Sequence, residues 1–451
     1  MRIAVPATVQ SLLDRLWANG HAAYVVGGSI RDSLLRREPY DWDLATDARP
    51  ERVQELFPGA VYENQFGTVA VRAGDAVHQI TTFRTDHDYA DFRRPHHVEF
   101  GDSVALDLAR RDFTANALAW GAEAPTLDSA PPEPVLVDPF RGAADIESRL
   151  LRAVGNPATR FEEDALRMVR AVRLAATLGF EIEPETLAAI GQHAGLAEHL
   201  SGERIAAELE KLLTAPRPSV GLRLMEETGL LAVVMPELAA QRGIAQNKIE
   251  GEDLWDHTVR TVDAAPAGRP VARLAALLHD IGKPMTLDDG PFRGHDILGE
   301  DLATAVLERL RMPSGVTERV AHLVRHHMFT HDAGMTDAAI RRFIRRVGAG
   351  SLDDLFALRE ADNIGSGQPA QANGLAELRA RIDEQLAADV ALDLRHLAVT
   401  GDDLIAELDV PQGPRLGRIL DALLEKVVGD PSLNDRPTLL LLAEAMLTED
   451  D

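Results

Sequence analysis

Two aspartates separated by one residue, Asp41 and Asp43 in YDWDLAT, follow closely on the glycines Gly27 and Gly28 in AYVVGGSIRDSLL. Side chains two apart in a strand point to the same face, so this spacing predicts two carboxylates side by side. Such carboxylates repel each other and are relieved by cations. Two Mg²⁺ ions held there would carry a nucleoside triphosphate and activate an attacking hydroxyl. AYVV reads as a buried strand and IRDSLL has helical periodicity. A glycine turn at a helix start directs unpaired N–H groups toward an anion, and Arg31 in the first turn reaches the same place. The plainer alternative for these residues is an ordinary glycine turn followed by an exposed acidic one.

A second set of chemistry-bearing residues lies far along the chain. It comprises His257 in LWDHTVRTVD, the adjacent His279 and Asp280 in LAALLHDIGKP, and Asp362 in READNIG. His295 in FRGHDILGE and His326, followed by His327, in LVRHHM extend the set. Imidazole and carboxylate suit a divalent transition metal such as Ni, Mn or Co, which would generate hydroxide to attack a phosphate ester.

The elements that must position these groups change character along the chain. Up to about residue 145, short β-like runs (AYVVGG, GTVAVRA, AVHQITTF) alternate with helical segments. Beyond that, apolar residues recur at helical spacing, with PATRFEEDALRMVRAVRLAATLGF, GERIAAELEKLLTA and DAAIRRFIRRVGA as long helix candidates. The chain reads as an α+β head over 1–145 followed by an all-helical body. The body divides into a neck over 146–250, a histidine-rich domain over 251–365 and a C-terminal region over 366–451. GAEAPTLDSAPPEPVLVDP reads as a loop or local insertion, and TDHDYADFRRPHHVEF as a mobile loop.

With no cysteine among 451 residues, a disulfide framework and cysteine-type zinc sites are excluded, and a reducing compartment fits. No long apolar run suggests a signal peptide or membrane span, so a cytoplasmic location without membrane association is expected. The net charge of −25 opposes nucleic-acid binding, so any RNA contact must be local and salt-sensitive. Arg341, Arg342, Arg345 and Arg346 on one predicted helix would either meet a phosphate backbone or pair with nearby acids. Nothing in the sequence fixes an oligomeric state.

The glycine turn and paired aspartates resemble the nucleotidyltransferase head of the DNA polymerase beta superfamily. They are closest to its class II branch of tRNA CCA-adding enzymes and poly(A) polymerases. RRDFTANALAW, LVDPFRGAADIESRLLRAVGNP, RFEEDALRMVRAVRLAATLGF and SGERIAAELEKLL continue the resemblance in order over roughly residues 20–215. It implies Arg110 and Arg111 near ribose and phosphates, with Asp112 and Asn116 shaping the sugar pocket. In the family the helix carrying Glu163, Asp164 and Arg167 selects the base. Physically, a carboxylate accepts from the amino group shared by cytosine and adenine, while a guanidinium donates to the ring nitrogen beside it. Uracil and guanine reverse that pattern. Asp164 and Arg167, three apart, would project to one helix face; Arg170 and Arg173 continue it toward phosphates. One departure is Gln79 in QITTFR, where many relatives carry Glu, which leaves the metals to Asp41 and Asp43. The segment 85–100 is similar to the flexible loop that full CCA-adding enzymes use for the final A.

The later histidines resemble the HD phosphohydrolase superfamily, in the fuller arrangement of its two-metal phosphodiesterases. The expected function is therefore addition of CCA to tRNA 3′ ends, with CTP, ATP and the acceptor arm as partners. Phosphatase or 2′,3′-cyclic phosphodiesterase activity would accompany it. The rivals are A-only, CC-only or poly(A) addition, a hydrolase whose head only binds RNA, and a non-catalytic RNA-binding protein.

Overall fold

The computed structural model describes residues 3–64, 66–89, 95–124, 133–246, 248–287, 292–332, 334–388 and 391–449. The chain forms two compact units. One holds residues 1–240 and 309–311, the other 241–308 and 312–451. No helix among the described residues is long and apolar enough to cross a membrane.

The first unit is organised by a mixed sheet. Its strands are β1 (Ala23–Val26), β2 (Asp43–Thr46), β3 (Val61–Asn64), β4 (Thr68–Ala73) and β5 (Ala76–Thr82), later joined by β8 (Ala119–Ala122) and β9 (Val135–Val137). The order is β3-β4-β5-β2-β1-β8-β9. Only β2 and β5 run parallel; the other pairings are antiparallel. All four residues of β1 are buried, as expected of an unbroken apolar run at the centre of a sheet covered on both faces. One face packs Tyr24 and Val26 with Phe83, Leu108 and Val154. Against the sheet lies α1 (Ala7–Ala18), which buries Leu12, Leu13, Leu16 and Trp17. Each such side chain contributes roughly 1.5–3 kcal/mol of apolar burial.

Two readings are corrected here. The segment expected to be a mobile loop forms a hairpin, β6 (Arg84–Tyr89) with β7 (Pro95–Phe100), and only residues 90–94 of it lie outside the described residues. The end of the Pro- and Ala-rich segment, expected as loop or insertion, supplies edge strand β9; residues 125–132 of it are also outside. In both cases strand partners supply hydrogen bonds that local periodicity does not announce.

The head also contains α2 (Gly28–Leu34), α3 (Pro50–Leu56), α4 (Val104–Ala109) and α5 (Gly142–Glu147). The short strands β10 (Leu150–Leu151) and β11 (Glu181–Ile182) pair in parallel. Between and beyond them come α6 (Pro157–Glu163), α7 (Leu166–Leu178), α8 (Pro184–His193), α9 (Gly202–Leu213), α10 (Pro218–Glu227), α11 (Leu230–Val234) and α12 (Pro236–Ala239). The single long helix expected over PATRFEEDALRMVRAVRLAATLGF is therefore two. Asp164 breaks it with extended backbone (φ −148°, ψ 102°), and its Oδ1 accepts the Leu166 N–H at 3.1 Å. A short acidic side chain offers the backbone a partner outside the helix, so it favours such a break.

The second unit is helical among its described residues. It runs α13 (Leu254–Ala264), α14 (Pro270–Leu278), α15 (His295–Arg309), α16 (Ser314–His326), α17 (Asp337–Val347) and α18 (Leu352–Gly365), then α19 (Leu375–Ala387), α20 (Gly401–Leu408), α21 (Pro414–Gly429) and α22 (Arg436–Glu449). The arginines of α17 settle into packing. Arg341 donates to the carbonyls of Val428 and Gly429 and to Gln385. Arg342 and Arg345 pair with Glu425 on α21. The acid-paired alternative thus holds for these two, while Arg346 lies over the Phe343 ring.

Candidate active sites

In the head, β1 leads directly into the glycine turn. Gly27 has φ +79° and ψ −135°, a conformation that favours glycine, and a Cβ there would also crowd Arg111 Nη1 at 2.8 Å. Its own N–H is taken by the Leu118 carbonyl, so donors for an anion must come from later in the turn. Asp43 is the first residue of β2 and pairs in register with Val26, beside this turn. Asp41 stands two residues before the strand instead of within it. Its charge nevertheless acts on Asp43: burial first, then Asp41, push the Asp43 carboxyl up to about 6, against the pull of Arg111. Adjacent carboxylates with too little solvent and too few counter-charges are a fit for bound divalent cations. Gln79 sits on β5, exposed, and donates to Glu63 at 3.1 Å.

Behind this pair runs a continuous network. Arg31 Nη1 donates to Asn116 Oδ1 (2.6 Å), and Asn116 Nδ2 donates to Asp112 Oδ1 (3.0 Å). Arg170 Nε donates to Asp112 Oδ2 (2.9 Å), and Arg173 Nε to Glu208 Oε2 (2.5 Å). Arg170 and Arg173, expected to face phosphates, are thus engaged by Asp112 and Glu208. Burial alone would raise the Asp112 carboxyl, but Arg170 and the Asn116 hydrogen bond hold it far below the usual range. Asp112→Asn should therefore destabilise the fold by about 1–2 kcal/mol, because Arg170, which is partly exposed, loses its nearest carboxylate and keeps only Glu208 at 3.7 Å. A carboxyl with a lowered folded-state pKa stabilises fully above the unfolded value, near pH 4, and loses that contribution as pH falls through the folded value. Urea melts should show a constant gap between wild type and Asp112→Asn from neutral pH down to about 4, closing below it.

A third group forms at the helix break. Arg110 pairs with buried Asp107 at 2.6 Å, and Arg111 approaches the same carboxylate at 3.4 Å. The Arg110 carbonyl accepts from Arg167 Nη2 (2.9 Å), while Arg167 Nη1 donates to Glu163 (2.6 Å) and to the Arg160 carbonyl. Asp164 and Arg167 do not share one uninterrupted helical face; Asp164 precedes α7 and pairs with Arg204 at 2.8 Å. Asp107, Glu208 and Arg204 escaped the sequence reading. Asp107 had a signal, lying three and four residues before Arg110 and Arg111. The other two had none beyond their place in a motif.

In the second unit, His257 comes from α13, His279 and Asp280 from the end of α14, His295 from the start of α15, and Asp362 from α18. Gly282 allows the close approach: a Cβ there would lie 2.3 Å from the His295 carbonyl oxygen. Asp280 is shared. Its Oδ2 lies 3.1 Å from His279 Nε2 and 3.4 Å from His257 Nε2, and its Oδ1 3.5 Å from His295 Nε2 and 3.7 Å from His327 Nε2. Asp362 Oδ1 lies 3.2 Å from His257 Nε2. His326 does not enter this cluster. Its ring packs on His322 at 4.6 Å, and burial, His322 and Arg346 lower its pKa to about 4. His327, just past the end of α16, takes the place expected for it, because one step along a helix turns a side chain about 100°.

The imidazoles fit a metal. Nδ1 of His279, His295 and His327 each faces a backbone carbonyl at 2.7–2.8 Å, so each carries its hydrogen there. The Nε2 lone pairs of His295 and His327 then face each other at 3.3 Å, and those atoms with Asp280 form one of two metal-competent groups sharing that aspartate. Opposed lone pairs around a buried carboxylate fit a cation between them. Three cations missed by the sequence reading surround the cluster: Lys283 on Asp280 (2.6 Å), Arg359 on Asp362 (2.7 Å) and Lys248, 3.5 Å from Asp362. They line a cavity of about 300 Å³ with His295 and His327.

Comparison with known proteins matches both units. The chain fits the poly(A) polymerase head domain over residues 23–152, a probable RNA- and SrmB-binding site of polymerase A over 179–242, and the HD domain over 254–365. It is 31% identical over 436 residues to the CCA-adding enzyme of Streptococcus thermophilus, covering 96% of each chain. With that of a Geobacillus strain the identity is 46% over 220 residues, 49% of this chain and 52% of the relative. The crystal structure of the Bacillus stearothermophilus CCA-adding enzyme in complex with CTP superposes with TM-score 0.70 at 29% identity, over 99% of both chains. The chain therefore belongs to the family of CCA-adding enzymes, with a polymerase-type head and an HD domain. Divalent-metal dependence follows from that membership.

Proposed function

We propose that the protein adds C, C and A to the 3′ end of tRNA from CTP and ATP, without a nucleic-acid template. The single observation that carries this is a set of linked interactions in one unit: the charge of Arg111 acts on Asp43, Arg111 and Arg110 share Asp107, and the Arg110 carbonyl accepts from Arg167. It couples a cation-demanding carboxylate pair to groups suited to a base edge. The tRNA 3′-oxygen attacks the α-phosphorus; that P–O bond forms as the bond to the leaving pyrophosphate breaks. Mg²⁺ at Asp41 and Asp43 would supply charge neutralisation and a more acidic 3′-hydroxyl. Arg31 and Arg111 hold the phosphates beside the Gly27–Gly28 turn. Asp112 and Asn116 order the sugar side of the pocket. Asp164 accepts from the amino group of cytosine or adenine, and Arg167 donates to the neighbouring ring nitrogen. Acceptor-arm recognition follows shape and backbone. The work is cytoplasmic.

A second activity is favoured by the facing Nε2 lone pairs around Asp280: hydrolysis of phosphate monoesters or 2′,3′-cyclic phosphates at RNA ends, with Ni, Mn or Co held by His257, His279, Asp280, His295, His327 and Asp362. Lys248, Lys283 and Arg359 would receive the phosphate.

The test uses a tRNA transcript lacking its last three nucleotides and another ending in CC, with Mg²⁺ and labelled CTP or ATP, separately and together. Growth by three nucleotides and a stop supports the proposal. A added only to the CC-ended transcript means a split pathway, a long A ladder means poly(A) synthesis, and no growth on either transcript removes the transferase reading.

A further inference from the structure

The two base-edge groups are supported in different ways. Arg167 is clamped locally, by the carbonyls of Arg160 and Arg110 and by Glu163. Asp164 depends on a distant side chain. Its Oδ1 accepts the Leu166 N–H, and its Oδ2 accepts from Nη2 of Arg204, in the first turn of α9. With both oxygens held, the carboxylate cannot rotate without breaking a bond, yet each oxygen keeps a lone pair for another donor. Arg204 has a second property: its Nη1 is buried and has no partner among the described residues. A guanidinium kept in such a place at that cost is positioned for its neighbour more than for stability.

We propose that Arg204 is a specificity-positioning residue that locks Asp164 as an acceptor for the amino group of the incoming base. This rests on the reading of Asp164 and Arg167 as the base-edge groups. A fixed carboxylate meets the O4 of uracil or the O6 of guanine oxygen to oxygen and rejects it. A carboxylate released from Arg204 swings aside, and the penalty for the wrong base falls. Sites that leave a wrong ligand's polar groups unpaired discriminate strongly, and this holds only while their own groups stay in place.

The experiment measures kcat/KM for CTP and for UTP on the transcript lacking its last three nucleotides, with wild type, Arg204→Met, Arg204→Lys and Asp164→Ala. For Arg204→Met the UTP:CTP ratio should rise about tenfold or more. Arg204→Lys, which keeps one charged donor, should fall between it and wild type. Equal slowing of both nucleotides at an unchanged ratio, in a folded Arg204→Met or Arg204→Lys protein, would overturn the inference. Asp164→Ala separates the two layers. If it relaxes the ratio and the Arg204 variants do not, only the role of Arg204 fails; if it leaves the ratio unchanged, the base-edge reading fails.

Discussion

Asp43→Ala should reduce addition of both C and A by roughly 10³-fold or more, because the reaction loses its means of holding cations against the triphosphate. The expectation follows from where the side chain sits. Asp43 opens β2 beside Val26 and the glycine turn, is largely withdrawn from water, and feels Asp41 as a like charge. In the absence of metal the pair works against the fold. Asp43→Asn should therefore melt no lower than wild type in chelator, and a few degrees higher, while losing activity. Manganese binding followed by electron paramagnetic resonance should weaken in parallel. A variant that loses activity, keeps its metal and melts much lower would show instead that Asp43 serves the fold.

The second large effect is expected at Asp280. One carboxylate serves both metal-competent groups, so Asp280→Ala should empty the HD site and reduce hydrolysis of a 2′,3′-cyclic phosphate by roughly 10³-fold or more. Nucleotide addition should stay within about twofold of wild type, since the two chemistries use separate carboxylates. Removing Asp280 also strips Lys283 of its partner at 2.6 Å, so some loss of stability will accompany the variant. The neighbouring histidines supply a cleaner comparison. His327→Ala should lose metal, counted by mass spectrometry of the purified protein, together with hydrolysis. His326→Ala should retain both, its ring being packed edge-on against His322 and away from the cluster. The reverse pattern would mean that the cluster is assembled differently from the geometry described here.

Much of both sites could be read from the chain alone, for a local reason. The glycine turn, the Asp-x-Asp pair and the adjacent His279 and Asp280 lie close together in the chain, so nearness in sequence is enough to bring those groups together, although Asp41 precedes β2 and His279 and Asp280 follow α14. The burial of β1 and the start of α9 at the SGER segment were legible on the same ground. What only the tertiary structure decided were choices between local options of similar energy. Whether His326 or His327 faces the cluster depends on where α16 ends and what it packs against. Whether RFEEDALR continues as one helix depends on Asp164, whose carboxylate caps α7 and meets Arg204 from another helix. Arg170 and Arg173, and the arginines of α17, carry charge that suits phosphate equally well. Arg170, Arg173, Arg342 and Arg345 are committed to Asp112, Glu208 and Glu425, and Arg341 to the Val428 and Gly429 carbonyls, partners that no spacing in the sequence reveals because folding alone brings them within reach.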